Sequence, residues 1–372
     1  MSKVIVKKAD YEYERLKPLV FEIMDALGGG DKIKKNRPVL IKPNLLTTAK
    51  PGDAVLTHCL LVKAVVEYTL SKGALPQVSD SPALGAFPRI LKEGGFKEAL
   101  KGLDVVCKEF RESRPVDVGA PFGFIDLARE ALESEIIINL PKLKTHAHML
   151  LTLGVKNMFG CVVGLRKPEW HMRIGANREM FARLLVQIHQ RVKPVITIID
   201  GILAMEGEGP RKRGKPRRLD ILLAGDDDFA LDTTVCRMLG LEPDRVPTLR
   251  VAREMSLLAE PPEVLGALPL ISDFELPCQL PITLGPPQLH AFLRRFALQR
   301  PVCERKLCKV CGKCWEFCPA GAISQAGGEI SFEYEKCIRC YCCIEVCPYG
   351  AVHAVEPPAG KLVRRIIRAK DR

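Results

Sequence analysis

Two cysteine runs of identical spacing constrain this chain more than any other feature: Cys308-x2-Cys311-x2-Cys314-x3-Cys318-Pro and Cys337-x2-Cys340-x2-Cys343-x3-Cys347-Pro. The second begins 29 positions after the first, and the tails Cys318-Pro-Ala-Gly-Ala-Ile and Cys347-Pro-Tyr-Gly-Ala-Val extend the match. Of 15 cysteines in 372 residues, ten lie between Cys303 and Cys347. A disulfide scaffold spreads its pairs through a small secreted domain, whereas such crowding in a long chain points to metal. Zinc sites use pairs of cysteines, not four in a tight row. Three closely spaced thiolates reach three irons of one cubane, and the fourth corner needs a ligand from farther away. The proline turn carries the last cysteine of each run across to the other repeat. The spacing therefore assigns Cys308, Cys311, Cys314 and Cys347 to one [4Fe-4S] cluster, and Cys337, Cys340, Cys343 and Cys318 to a second. Cys303 and Cys342 are surplus and are read as packing residues.

Over about fifty residues this module resembles the bacterial two-[4Fe-4S] ferredoxins, and both motifs match completely. The resemblance implies one-electron transfer, with two clusters relaying electrons to each other and to an unidentified redox partner protein.

The formal net charge is +12, with a pI near 9.0. Two thiolate-bound clusters at about −2 each would lower the total to roughly +8. No zinc-finger, RNA-recognition or helix-turn-helix pattern accompanies the basic residues, so nucleic acid is not the expected partner. An acidic redox partner fits the charge at least as well. No apolar run approaches the ~18 residues of a membrane-spanning helix. The start, Met1-Ser-Lys-Val-Ile-Val-Lys-Lys, is too short an apolar stretch for a secretory signal, so a cytoplasmic protein is expected.

Up to residue 258, short β-branched runs alternate with helical patterns. The strand candidates are Val4–Val6, Val39–Lys42, Gln77–Ser79, Val105–Cys107, Glu135–Asn139, Val195–Asp200 and Ile221–Ala224. Helical patterns lie at His58–Lys72, Arg178–Val192 and Ala230–Leu239. Apolar strands interleaved with helices predict an α/β domain over 1–258, a mostly parallel sheet with helices on both faces. Residues 259–302 read as a Pro-rich connector with one helix near Gln288–Gln299. A small α+β two-cluster ferredoxin-like domain follows at 303–357. The basic tail at 358–372 reads as a terminal helix packing Ile366 and Ile367 on its own domain.

Within the large domain, polar residues gather after strand candidates. Pro141-Lys-Leu-Lys-Thr-His146 follows an apolar strand directly, and Lys156-Asn157 interrupts an apolar stretch. A lysine among apolar neighbours is either paired with a carboxylate or held for an anionic ligand. Lys42-Pro-Asn44, Asp80-Ser-Pro82 and Asp200-Gly201 show the same habit, and the last runs into a glycine-bearing loop, Met205-Glu-Gly-Glu-Gly-Pro210. Asp226 is read as a helix N-cap, with Asp228 and Asp232 one turn apart. Ligands bind beyond the carboxyl ends of strands in open parallel sheets, so these segments are expected to converge on one site. The candidate catalytic residues are Lys142, Lys144, His146, Lys156 and Glu206, acting as anion clamps and proton donors on an anionic small-molecule ligand. The segments just quoted, together with Gly154-Val-Lys-Asn157 and Gly160, resemble the family named domain of unknown function 362. That resemblance covers roughly residues 1–255 and implies a domain boundary and a site location, but no substrate.

His146, His148 and His171 carry suitable metal ligands, although a spacing of two separates the first pair on a helix. The basic loop Arg211–Arg218 reads as either an anion clamp or a solvated loop. Dinucleotide, P-loop and serine-hydrolase signatures are missing from the sequence. Three functions compete: an electron-transfer protein, an oxidoreductase whose clusters feed a reduction at the α/β site, and a redox-sensing or assembly factor that binds a macromolecule.

Overall fold

The computed structural model describes residues 2–164, 166–175, 177–258, 261–277 and 299–358. The helix expected at 288–299 and the tail at 358–372 lie outside the described residues, apart from Gln299 and Pro358.

One sheet organises the large domain. Its strands are β1 (Lys3–Lys8), β2 (Pro38–Pro43), β3 (Leu75–Asp80) and β4 (Val106–Glu109). After a separate hairpin of β5 (Ser113–Asp117) and β6 (Phe124–Ala128) come β7 (Ile136–Leu140), β8 (Lys142–His146), β9 (Leu150–Thr152), β10 (Ile196–Gly207), β11 (Gly214–Gly225) and β12 (Glu263–Leu265). The order is β12-β1-β11-β10-β7-β2-β3-β4, with β8 paired to β10 and β9. Pairings through β7, β2, β3 and β4 are parallel; β11 runs antiparallel to both β1 and β10. The mostly parallel α/β architecture expected from the sequence is therefore present.

Both faces are covered, which explains the unbroken apolar strands. In β2, Val39 and Ile41 point into one core and Leu40 into the other. Helices Tyr13–Ala26 and Cys59–Ser71 fill the first, the former through Leu16, Val20, Ile23 and Met24 at helical spacing. Helices Arg178–Val192, Asp228–Met238 and Pro247–Glu254 fill the second. Asp227, rather than Asp226, caps its helix, accepting from the backbone of Phe229 at 2.9 Å and Ala230 at 3.2 Å.

Two segments depart from expectation. Met205–Pro210 and Arg211–Arg218 belong largely to a long hairpin, because β10 and β11 each run for 12 residues. Part of the connector also joins the large domain: β12 pairs with β1, and the Glu275 carbonyl accepts from the Gly207 N–H.

The second domain pairs β13 (Arg300–Cys303) with β16 (Val352–Val355), and β14 (Ile323–Ala326) with β15 (Glu329–Phe332). Each cysteine run bends into a short helix, Lys313–Glu316 or Cys342–Val346. The residue before each helix is left-handed, Gly312 at φ 91° and Tyr341 at φ 61°. The repeat seen in the sequence is thus a repeat of backbone shape.

Candidate functional site

The last cysteine of each run does cross to the other. Cys308, Cys311, Cys314 and Cys347 line one small cavity, and Cys318, Cys337, Cys340 and Cys343 line another. Backbone N–H groups point at the sulfurs: Val310 to Cys308 at 3.4 Å, Ala322 to Cys318 at 3.3 Å, Ala351 to Cys347 at 3.2 Å. Such donors stabilise thiolates carrying the charge of a cluster. Four thiols around each space, with N–H donors behind them, fit a cubane. The surplus Cys342 turns away from both spaces, donating its thiol to Cys340 and lining a third, larger cavity.

That larger cavity, about 280 Å³, lies where the two domains meet. Phe317, Cys342, Glu345 and Val346 come from the small domain; Lys42, Lys144, His146, Lys156, Lys167 and His171 come from the large one. The contact is polar and specific. His146 Nε2 lies 2.9 Å from Glu345 Oε1, Arg211 donates to the Glu345 carbonyl, and Arg213 donates to the Gly350 carbonyl at 2.9 Å and to Glu304 at 2.6 Å. The basic loop therefore clamps the other domain.

From the cavity wall a chain of amides runs inward. Lys144 Nζ donates to Asn44 Oδ1 at 2.7 Å, Asn44 Nδ2 to Asn157 Oδ1 at 2.9 Å, and Asn157 Nδ2 to Asn139 Oδ1 at 2.8 Å. Asn139 Nδ2 ends the chain on Asp228 Oδ2, which also meets His189 Nε2 at 2.7 Å. Asp232 accepts from the backbone N–H groups of Gly154 and Val155 and so fixes the short helix Gly154–Asn157 that carries Lys156. Gly160 leaves room for a buried ion pair: a Cβ there would lie 2.3 Å from Asp80 Oδ1 and 2.5 Å from Lys42 Nζ.

Burial shapes the charges. It holds the Lys144 ammonium well below the usual lysine range, helped by the neighbouring Lys156 charge. Burial takes Lys167 down to about 8, and His146 and His171 each to about 4. Burial alone would raise Glu345, but His146, Lys156 and His171 outweigh it and hold the carboxyl at about 2. Lys156 acts in one sense on the pair: its charge disfavours a proton on His146 and favours an ionised Glu345.

Of the five candidate residues, the structure gathers Lys144, His146 and Lys156 around the cavity. Lys142 is elsewhere, sealed in an ion pair with Asp200 at 2.8 Å in which neither side chain is exposed. Tyr11 OH donates to the same carboxylate at 2.6 Å. Glu206 pairs across the hairpin with Arg217 at 2.8 Å and accepts from the Glu275 N–H. Lys142 and Lys144 share a face of β8, but its register against β10 slips between them, so that Lys142 lies opposite Asp200 and Lys144 opposite Met205. His146 is committed as well, its Nδ1 accepting from the His148 and Met149 N–H groups. His171 stacks on Phe181 and His148 packs tilted against both in a buried aromatic cluster. Sequence reading missed Lys167 and Glu345. A Lys-Pro pair after Gly164 was the available signal for the first; Glu345 carried none, since its role depends on the other domain.

An α/β domain with a ligand-sized cavity, closed by an iron-sulfur electron-transfer domain, is the class of protein these features define. A family model described as domain of unknown function (DUF362) matches residues 39–237, and one described as 4Fe-4S dicluster domain matches residues 300–348. The chain belongs to the DUF362 family. It is 35% identical over 295 residues to the thylakoid-associated protein sll1697 of Synechocystis sp. (strain ATCC 27184 / PCC 6803 / Kazusa), covering 77% of this chain and 92% of that one. The lactate racemase apoprotein from Thermoanaerobacterium thermosaccharolyticum superposes with a TM-score of 0.37 at 11% identity, over 55% of this chain and 51% of that one. So distant a likeness carries no functional argument. Among the described residues, no helix is long and apolar enough to cross a membrane.

Proposed function

We propose that this protein is an iron-sulfur oxidoreductase in which the dicluster domain supplies electrons to a ligand held between the two domains. Two [4Fe-4S] clusters, one held by Cys308, Cys311, Cys314 and Cys347 and one by Cys337, Cys340, Cys343 and Cys318, supply one-electron transfer when bound. The observation that carries the reading is the shared wall. Phe317, Cys342 and Val346 each adjoin a cluster cysteine in the chain, and they line the same cavity as Lys144, His146, Lys156 and Lys167.

The chain's residues then divide the work. Lys144 and Lys156 hold an anionic group, with Lys144 fixed by Asn44 and Lys156 by its Asp232-anchored helix. Lys167, with its proton held at about 8 by burial, is suited to give up a proton near neutral pH. The small domain excludes water from one side of the cavity, which strengthens every charge interaction inside it. An acceptor gaining two electrons, delivered singly from an external low-potential redox protein, takes two protons to balance. Lys142 and Glu206 have structural roles in this scheme. A cytoplasmic location, where thiols stay reduced, suits the reading; the Synechocystis relative is thylakoid-associated by name.

The test is anaerobic. Protein reduced with dithionite and freed of excess reductant is mixed with a panel of carboxylate and phosphate acceptors, and cluster reoxidation is followed by visible absorbance. One class of acceptor should reoxidise the wild type and fail with Lys156→Ala at unchanged iron content. Equal rates in the two proteins, or no acceptor above the buffer control, would refute the reading.

A further inference from the structure

We infer, resting on the reading just given, that the ligand of the interdomain cavity is a dicarboxylate with a compact apolar body. Four lysines, Lys42, Lys144, Lys156 and Lys167, line the cavity against two carboxylates, Asp80 and Glu345. Both carboxylates are already engaged. Asp80 meets Lys42 at 2.9 Å and accepts from the Leu45 and Ser81 N–H groups, while Glu345 meets His146 at 2.9 Å.

The other three ammonium groups have no carboxylate of their own. Lys144 donates to two neutral oxygens, Asn44 Oδ1 and the Val55 carbonyl, each at 2.7 Å, and keeps a third N–H. Lys167 donates to the Ser81 carbonyl at 2.7 Å and keeps two. The Lys156 ammonium has no hydrogen-bond or ion-pair partner among the described residues, although it lines the cavity and its residue is half-buried. Desolvated cations are costly; with burial holding His146 and His171 at about 4, four lysines against two carboxylates leave an excess of two positive charges, which a dianion would balance.

The excess is also divided. Lys144 and Lys156 both feel Glu345, Lys144 held by Asn44 and the Val55 carbonyl and Lys156 carried on its own short helix. Lys167 is anchored separately, on the Ser81 carbonyl, and feels Asp80 and Lys42. Cations anchored at separate points of the lining suit two separate anionic groups better than one phosphate. Leu46, Leu84, Phe159, Pro168 and Phe317 supply the apolar walls, and a volume near 280 Å³ limits the ligand to a small body.

A competing account is that the lysines only offset the charge of the neighbouring clusters, in which case the cavity needs no anion. Isothermal titration of the oxidised, cluster-loaded protein with the three phthalate isomers, benzoate and inorganic phosphate separates the cases. The inference expects one phthalate isomer to bind at least about tenfold more tightly than benzoate or phosphate. Lys156→Met and Lys167→Met, with full iron content, should each bring that isomer down to the benzoate level. Benzoate or phosphate binding as tightly as every phthalate, or no binding by any probe, would overturn it. Binding to oxidised protein requires no electron transfer, so the two proposals fail separately. Tight phthalate binding without reductive turnover of any dicarboxylate would sink only the oxidoreductase reading. Turnover of a monoanion without phthalate binding would sink only this inference.

Discussion

His146 Nε2 and Glu345 Oε1 lie 2.9 Å apart although 199 residues separate them, one at the end of a sheet strand and the other in the helix between two cluster cysteines. The His146 side chain is 4% exposed and that of Glu345 16%. Removing one partner of such a shielded pair leaves the other without its main contact. His146→Ala should lower unfolding stability by about 1.5–3 kcal/mol, the worth of a neutral imidazole N–H donated to the ionised Glu345 carboxylate, beside which Lys156 remains. Urea unfolding followed through cluster absorbance measures it, and an unchanged midpoint would show that the contact is incidental.

Lys142 separates the strand's structural lysine from its ligand-facing one. Its ammonium bonds Asp200 at 2.8 Å and Tyr11 at 3.0 Å without touching the cavity. Lys142→Ala should cost about 3–5 kcal/mol by stranding the Asp200 carboxylate. Anion affinity of the folded protein should stay within about twofold of wild type in the same titration.

These two lysines also show what the sequence could reveal. The apolar run before Pro141 marked a buried strand, and its end marked the site, because both follow from local pattern. Which lysine pairs with Asp200 depends on β8 lying beside β10, a contact between residues 58 apart. Helix Arg178–Val192 was legible to the residue because its apolar face and its Asn177 cap are local. The hairpin through Met205–Arg218 was not. Its glycines, prolines and arginines carry no alternating pattern, and it is held by Glu275 and by the small domain. The cysteine runs were the clearest of all, since cubane geometry fixes spacing whatever the surroundings.

Cys342 and Cys343 are neighbours with different surroundings. Cys343 shares a small cavity with Cys318, Cys337 and Cys340, whereas Cys342 lines the interdomain cavity. Cys343→Ser should lower iron from about eight to about four per chain, and Cys342→Ser should keep about eight. Iron and sulfide assays on anaerobically purified protein decide it; loss of iron in Cys342→Ser would contradict the assignment.

Lys167 gives the cavity a pH dependence. Burial lowers its folded-state pKa from 10.5 to about 8, so the unfolded chain binds more protons between those values. Stability from this group therefore rises as pH climbs through that window, because the cost of a buried ammonium is relieved. Anion binding moves the opposite way and should weaken as pH passes about 8. Lys167→Arg, which stays charged, should flatten that decline. A wild-type affinity that is constant from pH 7 to about 9.5 would contradict the role given to Lys167.

Gly160 protects the Lys42–Asp80 pair, since a Cβ would collide with both partners. Gly160→Ala should destabilise the fold by about 1–3 kcal/mol and weaken anion binding as Lys42 is displaced. Urea midpoints and titration on the same sample would test both effects, and wild-type values for both would contradict the packing argument.

If the two domains share one site, the midpoint potentials of the clusters respond to Lys156→Met. Lys156 belongs to the large domain and interacts electrostatically with Glu345 of the small one. Removing a positive charge beside the clusters disfavours the added electron. Anaerobic potentiometry with EPR detection should therefore show at least one cluster shifted to lower potential at unchanged iron content. Potentials identical to wild type would mean that the cavity and the clusters do not sense each other.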